Sequence, residues 1–76
     1  MSYLPILKFN ELQKILKRLG YLPVRQKGSH VIFSNQSKNT ITVPNHPSKT
    51  IGKGLLRKLI GDLDIDVSEF IKIANS

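Results

Sequence analysis

Three short segments with β-strand character follow one another in this chain, and a helical pattern lies on either side of them. The strand patterns occupy residues 22–25, 30–34 and 40–43, with glycine or polar residues between them. Runs of strands flanked by helices are typical of α+β folds. The order α-β-β-β-α, followed by a short extra helix, therefore predicts a three-stranded antiparallel sheet with the helices packed on one face.

The first helix is recognised by an apolar stripe. Its members recur at the i, i+3, i+4, i+7 spacing of one helix face and are Leu12, Ile15, Leu16 and Leu19. Asn10 is a candidate N-cap, although the boundary can lie a residue or two earlier. Gly20 is placed to end this helix in a left-handed cap.

Two further helical patterns follow the strands. The second helix begins between residues 48 and 53 and carries the apolar residues Leu55, Leu56, Leu59, Ile60 and Leu63. Asp66 and Glu69 have the spacing of a capping box, which predicts the start of a short third helix.

The length and the net charge of the chain indicate how many domains it forms and what kind of partner it attracts. Its 76 residues are expected to form one domain, residues 1–76, around one core. The 12 Lys and Arg residues against 5 Asp and Glu give a formal net charge of +7. A field of this sign attracts polyanions, of which nucleic acid is the commonest, although net charge also keeps small domains soluble.

Several kinds of site are not expected. The chain has no cysteine, which excludes disulfides and thiolate metal sites. Its two histidines and five carboxylates show no clustered metal-ligand spacing, so we expect no metal and no cofactor. No signal-peptide pattern and no window as long as a membrane span is present, so we expect a cytoplasmic protein without a membrane partner.

Strand alternation predicts which side chains reach the core. Val31 and Phe33 are the bulky pair on the second strand, so we expect them to face the helices. On the first strand, the same alternation is expected to bury Leu22 and Val24. Pro23 has no N–H for a ladder, which predicts that this strand lies at an edge or begins near the proline.

The same alternation places a histidine on the open face of the sheet. His30 is expected to point away from the helices, as is Arg25 on the first strand. Lys27-Gly28 is the predicted hairpin turn, and Ser29 is interpreted as a turn hydroxyl because no carboxylate lies nearby to complete a triad. A histidine exchanges protons near neutral pH, and neighbouring cations are suited to hold a phosphodiester. An ordinary surface histidine in a turn is the competing interpretation.

A second candidate group surrounds the loop after the third strand. His46 is interpreted as a second acid or base, a base-stacking group, or a loop residue bonded to the backbone. Lys49 and Lys53 lie at the start of the second helix, where free N–H groups and the helix dipole favour a phosphate. A solvated helix face is the alternative interpretation of these lysines.

Three segments of the chain closely resemble the HicA family of toxins. They are Arg25-Gln26-Lys27-Gly28-Ser29-His30 with Phe33, then Thr42-Val43-Pro44-Asn45-His46, then Lys53-Gly54-Leu55-Leu56-Arg57-Lys58-Leu59-Ile60. The most specific elements are Gly-Ser-His with an aromatic residue three positions on, and Val-Pro-x-His. The chain departs from the simplest members in a few extra N-terminal residues and in Leu55, where a small residue such as threonine is common.

The resemblance implies a double-stranded-RNA-binding-domain-like fold and a ribosome-independent endoribonuclease that cleaves messenger RNA and arrests growth. It places the catalytic histidine at His30. It also implies a HicB-type antitoxin that covers this histidine. The toxin alone is expected to be monomeric and to form a hetero-oligomer with the antitoxin.

The resulting hypothesis is metal-independent RNA cleavage with His30 as general base and His46 or water as the acid. The residues expected to bind RNA are Arg25, Lys27, Gly28, Ser29, Lys49 and Lys53. Two rival functions remain open. One is a noncatalytic RNA-binding module of the same fold, and the other is a small interaction protein whose charge serves an acidic partner.

Overall fold

The computed structural model describes residues 4–46 and 48–76. Its elements in chain order are α1 (Phe9–Arg18), β1 (Leu22–Lys27), β2 (His30–Ser34), β3 (Thr40–Pro44), α2 (Lys53–Asp62) and α3 (Val67–Ala74). This order confirms the predicted α+β fold with the α-β-β-β-α layout of double-stranded-RNA-binding domains and an additional C-terminal helix. In the described part of the chain, no helix is long and apolar enough to cross a membrane.

The sheet is antiparallel, and its strand order is β1-β2-β3. Opposite residues of an antiparallel pair lie on the same face. Val31 lies opposite Val43 and Phe33 opposite Ile41, and all four side chains are buried. The intervening residues of β2 and β3 are exposed or half-buried. One face of the sheet is therefore covered and the other is open, which confirms the inward prediction for Val31 and Phe33.

One cluster of buried apolar side chains joins the helices to the covered face of the sheet. The ring of Phe9, at the start of α1, lies 6.1 Å from the ring of Phe33 on β2, measured between centroids. The largest fully buried side chains of the cluster are Phe33, Phe70, Leu12, Leu16, Leu56 and Val43. They come from all three helices and two strands, so burial of this shared surface is what holds the elements together.

The N-cap of the first helix lies two residues before the candidate Asn10, as the alternative boundary in the sequence analysis allowed, so Asn10 is not the cap. Lys8 is the N-cap, and the Glu11 carboxylate accepts a hydrogen bond from the Lys8 backbone N–H at 2.8 Å. This bond places Glu11 at the third helical position, where an acidic side chain also stabilises the positive end of the helix. Asn10 therefore lies inside the first turn.

The C-terminus of α1 has the predicted glycine cap. Gly20 has φ +92°, in the left-handed region that glycine adopts without strain. The Tyr21 N–H donates to the Leu16 carbonyl at 2.8 Å, and the Gly20 N–H donates to Lys17 at 3.0 Å. This pair of bonds is the Schellman motif, which turns the chain out of the helix toward β1.

The first strand differs from the prediction on its apolar residues. Leu22 is 51% exposed and Val24 is 61% exposed, so the expectation that both are buried was wrong. The pairing register with β2 shifts between Pro23 and Arg25, which leaves Val24 as an extra residue. An extra residue of this kind breaks the two-residue alternation along a strand. All six residues of β1 are exposed, so the helices do not cover this edge of the sheet.

The shifted register fixes the direction of the other β1 side chains. Leu22 lies opposite Ser34, and Arg25 lies opposite Ile32. Ser34 and Ile32 belong to the open face, because they alternate with the buried Val31 and Phe33. Arg25 therefore points outward as predicted, and β1 is the edge strand that Pro23 predicted.

The third helix begins at a carboxylate cap, which confirms the predicted capping position. Asp66 is the N-cap of α3, and its Oδ1 accepts hydrogen bonds from the Glu69 N–H and from the Ser68 hydroxyl, both at 2.8 Å. These two bonds, the one from Glu69 first, lower the pKa of Asp66 below its usual value of 3.8. Both bonds favour the ionised carboxyl group over the neutral one.

Removing the charge of Asp66 is expected to lower the thermal midpoint of unfolding at neutral pH. Because the pKa is lower in the folded than in the unfolded chain, the ionised group stabilises the fold above its unfolded pKa. That contribution is lost as the pH falls through the folded pKa. Asp66→Asn keeps a capping acceptor, whereas Asp66→Ala removes it, so alanine should have the larger effect.

Thermal unfolding followed by circular dichroism checks this prediction. The difference between wild type and Asp66→Asn should shrink as the pH is lowered past 3.8. A difference that stays constant over this range would show that the charge of the cap does not contribute.

Candidate active site

A tight turn connects the first two strands at one end of the sheet. β1 ends at Lys27 and β2 begins at His30, so the turn residues are Gly28 and Ser29, one position later than predicted. Gly28 has φ +61°, whereas Ser29 has no positive φ. A positive φ at the first turn residue alone is the pattern of a type II′ hairpin turn, which favours glycine there. The Gln26 side chain supports the turn by donating to the Gly28 carbonyl at 3.0 Å.

The turn places two cations beside His30. Lys27 lies directly opposite His30 across the hairpin, and Arg25 lies on the same open face opposite Ile32. Directly opposite side chains have Cβ atoms about 5 Å apart. All three of Arg25, Lys27 and His30 are exposed. The structure thus brings together the histidine and the two cations that the sequence singles out, on the face away from the helices.

The imidazole of His30 has no hydrogen-bond partner among residues 4–46 and 48–76. On its other side, His30 lies opposite Pro44 of β3. Proline offers no side-chain donor or acceptor to the ring. Both ring nitrogens are therefore available to a bound ligand.

The loop after β3 is attached to the same turn. The Asn45 N–H donates a hydrogen bond to the Ser29 carbonyl, which continues the β2–β3 pairing by one residue. His46 follows directly and is exposed. Its carbonyl accepts a bond from the Lys49 N–H at 2.9 Å. These contacts place both histidines at the same end of the sheet.

The two lysines at the second helix are placed differently from each other. Lys49 is tied to the His46 loop by its backbone bond, whereas Lys53 is the first residue of α2. The first turn of α2 has no acidic residue, and its N-cap, Gly52, has no side chain to cap the helix. No hydrogen bond or strand pairing among the described residues connects Lys53 to the turn at His30.

Three of the five carboxylates have partners that stabilise helices. Glu11 caps α1 and Asp66 caps α3, and Asp62 forms an exposed ion pair with Lys58 at 3.2 Å. Among the described residues, no three His, Cys, Asp or Glu side chains gather where they could hold a metal ion.

Asn45 and Gln26 have no role in the sequence-based predictions, although each donates a hydrogen bond to a residue of the β1–β2 turn. Asn45 donates its backbone N–H to the Ser29 carbonyl, whereas Gln26 donates its side-chain amide to the Gly28 carbonyl. The Val-Pro-x-His segment marks the position of Asn45, but no local pattern shows that its N–H reaches Ser29. That contact depends on the β2–β3 register, which is set only when the sheet forms.

The fold and this face define a small basic α+β domain with an exposed histidine and two cations at one end of an open sheet. A family model described as the HicA toxin of bacterial toxin–antitoxin systems matches residues 9–65 of the 76-residue chain. The chain therefore belongs to the HicA toxin family, whose members act as the toxin of a toxin–antitoxin pair. The match spans α1 through α2 and ends before α3. A comparison with curated proteins gave no match.

Proposed function

We propose that this toxin is an endoribonuclease that cleaves messenger RNA, with His30 as its general base. The observation that carries the proposal is the position of His30 on the open sheet face, opposite Lys27 and on the same face as Arg25. An imidazole without a hydrogen-bond partner in the described structure, beside two cations on the neighbouring strand, is suited to take a proton from a substrate whose phosphate the cations hold.

The proposed reaction uses the ribose next to the cleaved phosphate. Neutral His30 accepts the proton of the 2′-hydroxyl, and the 2′-oxygen attacks the neighbouring phosphorus. The bond from phosphorus to the 5′-oxygen breaks, which leaves a 2′,3′-cyclic phosphate and a 5′-hydroxyl. The leaving oxygen takes its proton from water or from His46, whose loop lies at the same end of the sheet.

The remaining residues are proposed to hold the RNA. Arg25 and Lys27 contact the phosphate and offset the charge that develops on it in the transition state. Gly28 and Ser29 let the RNA strand approach the turn closely. At Gly28 this is possible because glycine has no side chain. Lys49 and Lys53 contact phosphates further along the strand.

The proposal also covers the domain organisation, oligomeric state and location of the toxin. Residues 1–76 act as a single domain that is monomeric alone and forms a hetero-oligomer with a HicB-type antitoxin. The site works in the cytoplasm without a metal ion or cofactor, because a histidine base and two cations supply the proton transfer and the charge.

A noncatalytic RNA-binding module of the same fold is the second candidate. Catalytic histidines are commonly oriented by a hydrogen bond to the second ring nitrogen. His30 has no such bond within the described residues, and this observation favours a binding role. In that case His30 stacks on or hydrogen-bonds to RNA without transferring a proton.

Cleavage of a defined single-stranded RNA by the purified chain tests the proposal. We expect products with 2′,3′-cyclic phosphate ends, formed at the same rate with and without EDTA. The matched control is the same RNA with a single 2′-deoxy substitution at the cleaved position, which should resist. Cleavage of this control would show that the 2′-hydroxyl is not the nucleophile, and loss of activity in EDTA would show that a metal is required.

A further inference from the structure

The outer edge of β3 presents backbone groups that pair with none of residues 4–46 and 48–76. The bond from the Asn45 N–H to Ser29 identifies residues 29 and 45 as a hydrogen-bonded pair. Hydrogen-bonded and non-hydrogen-bonded pairs alternate along an antiparallel ladder. Thr40, Thr42 and Pro44 therefore belong to non-hydrogen-bonded pairs with β2, and their backbone groups point away from it.

This free edge has a definite set of donors and acceptors. Thr40 and Thr42 each direct an N–H and a carbonyl outward, and Pro44 directs a carbonyl only. Among the described residues, no backbone hydrogen bond from outside the sheet reaches these groups. The position of Pro44 agrees with the assignment, because proline is tolerated in a strand where its nitrogen faces a free edge.

The two edges of the sheet differ in how they are protected. On β1, Pro23 and the extra residue Val24 interrupt the edge, and Arg25 and Lys27 add charge. Proline, bulges and charges are the usual devices that prevent a foreign strand from pairing with an edge. β3 pairs with β2 over five consecutive positions without a register shift and carries no charged residue. Its edge lacks this protection except for Pro44 at the end.

We propose that the free edge of β3 is a docking site for an extended, acidic segment of the antitoxin, which adds a fourth strand to the sheet. Main-chain hydrogen bonds to Thr40, Thr42 and Pro44 provide the pairing. This mode of recognition is general for exposed sheet edges. The partner class follows from membership of a toxin–antitoxin family.

Charge decides between this partner and a second copy of the chain. Each copy carries a net charge of +7, so two copies repel one another. A pair of five-residue strands also buries far less than the roughly 1,000 Å² that a specific interface needs, so a self-dimer lacks compensating contacts. An acidic segment is attracted by the same field, and the rest of the antitoxin supplies additional contact area.

The docked strand would lie close to the candidate active site. Strands are about 4.8 Å apart in a sheet, so a strand added beyond β3 runs about 10 Å from β2. His30 and Pro44 are opposite one another, so an acidic side chain beside Pro44 would project from the same open face as His30. Docking rests on the free edge and on family membership, whereas inhibition of cleavage by this strand rests on the proposed function.

Replacing Thr42 with proline tests the proposed pairing directly. The Thr42 N–H bonds to nothing in the described structure, so Thr42→Pro should keep the fold while removing one donor from the free edge. We expect at least about a tenfold increase in the Kd for the antitoxin encoded beside the toxin, measured by calorimetry. Thr42→Val keeps the N–H and should bind as wild type does. Equal affinity of both variants would overturn the proposal.

Amide hydrogen exchange gives a second measurement that does not depend on a variant. In wild type, the N–H groups of Thr40 and Thr42 should exchange fast in the free toxin and slowly in the antitoxin complex. Fast exchange of these N–H groups in the complex would overturn the proposal. Exchange in the free toxin that becomes slower as the toxin concentration rises would also overturn it, and would identify a second copy as the occupant. Neither readout uses RNA, so a failure to cleave RNA counts against the proposed function alone.

Discussion

Replacing His30 with alanine is expected to lower the rate of RNA cleavage by about 10²–10⁴-fold, the usual contribution of a general base. The loss should fall on the chemical step, because Arg25 and Lys27 remain to hold the phosphate. Stability should not change, since His30 is exposed and its ring bonds to no described residue.

Single-turnover cleavage rates at saturating enzyme measure this effect separately from binding. Thr40→Ala is the matched control, because Thr40 is exposed on the same face and at the far end of the neighbouring strand. His30→Ala that cleaves within a few-fold of wild type would refute the role of general base. A wild type that binds RNA but never cleaves it, together with a folded His30→Ala variant that binds the 2′-deoxy RNA more weakly, would favour the noncatalytic module instead.

His46→Ala in the same assay addresses the acid. If His46 protonates the leaving oxygen, its removal should slow cleavage by a similar order. An RNA whose leaving group needs no protonation should rescue that variant and leave His30→Ala slow. An unchanged rate would assign the proton to water and leave His46 as a loop residue, whereas a slower rate without such rescue would show that His46 does not act as the acid.

Most of the fold could be predicted because its signals are local. The apolar spacing of α1, the Gly20 cap and the Asp66 cap each depend on residues within a few positions of one another. The alternation on β2 was also sufficient, because β2 is central and is buried on one face only. Elements whose structure is set by residues close together in the sequence were therefore predicted correctly.

The first strand is the case in which the local sequence pattern predicted the wrong burial. Leu22 and Val24 have the alternation of a half-buried strand, yet both are exposed. The cause is the extra residue near Pro23, which exists only in the pairing with β2. An error of one residue in register reverses every side chain that follows it. The outward direction of Arg25 was predicted correctly although the burial of its neighbours was not.

The candidate site also combines features that follow from local sequence with features that depend on strand pairing. The open-face position of His30 follows from alternation, and the glycine turn follows from composition. The attachment of the His46 loop through Asn45 and Ser29, and the free edge at Thr42, depend on the β2–β3 register. Sequence reasoning could therefore identify individual residues of the site, but not which backbone groups the sheet leaves unpaired.

Replacing Phe33 with alanine is expected to reduce the free energy of unfolding by about 3–5 kcal/mol. Phe33 is 0% exposed, lies on the central strand and packs against Phe9. Its removal loses the transfer free energy of the ring and leaves a cavity that the surrounding helices fill only in part. Domains of this kind are stable by about 5–15 kcal/mol, so a loss of this size should move the urea midpoint of unfolding clearly to lower concentration.

Urea unfolding measured by circular dichroism tests this prediction, and Val24→Ala is its matched control. Both positions have the sequence pattern of a core residue, but Val24 is 61% exposed. Val24→Ala should therefore lower the free energy of unfolding by less than about 0.5 kcal/mol. A large loss for Val24→Ala would mean that β1 is buried as its alternation suggested and that the shifted register is wrong. A small loss for Phe33→Ala would place the core elsewhere than on the covered face of the sheet.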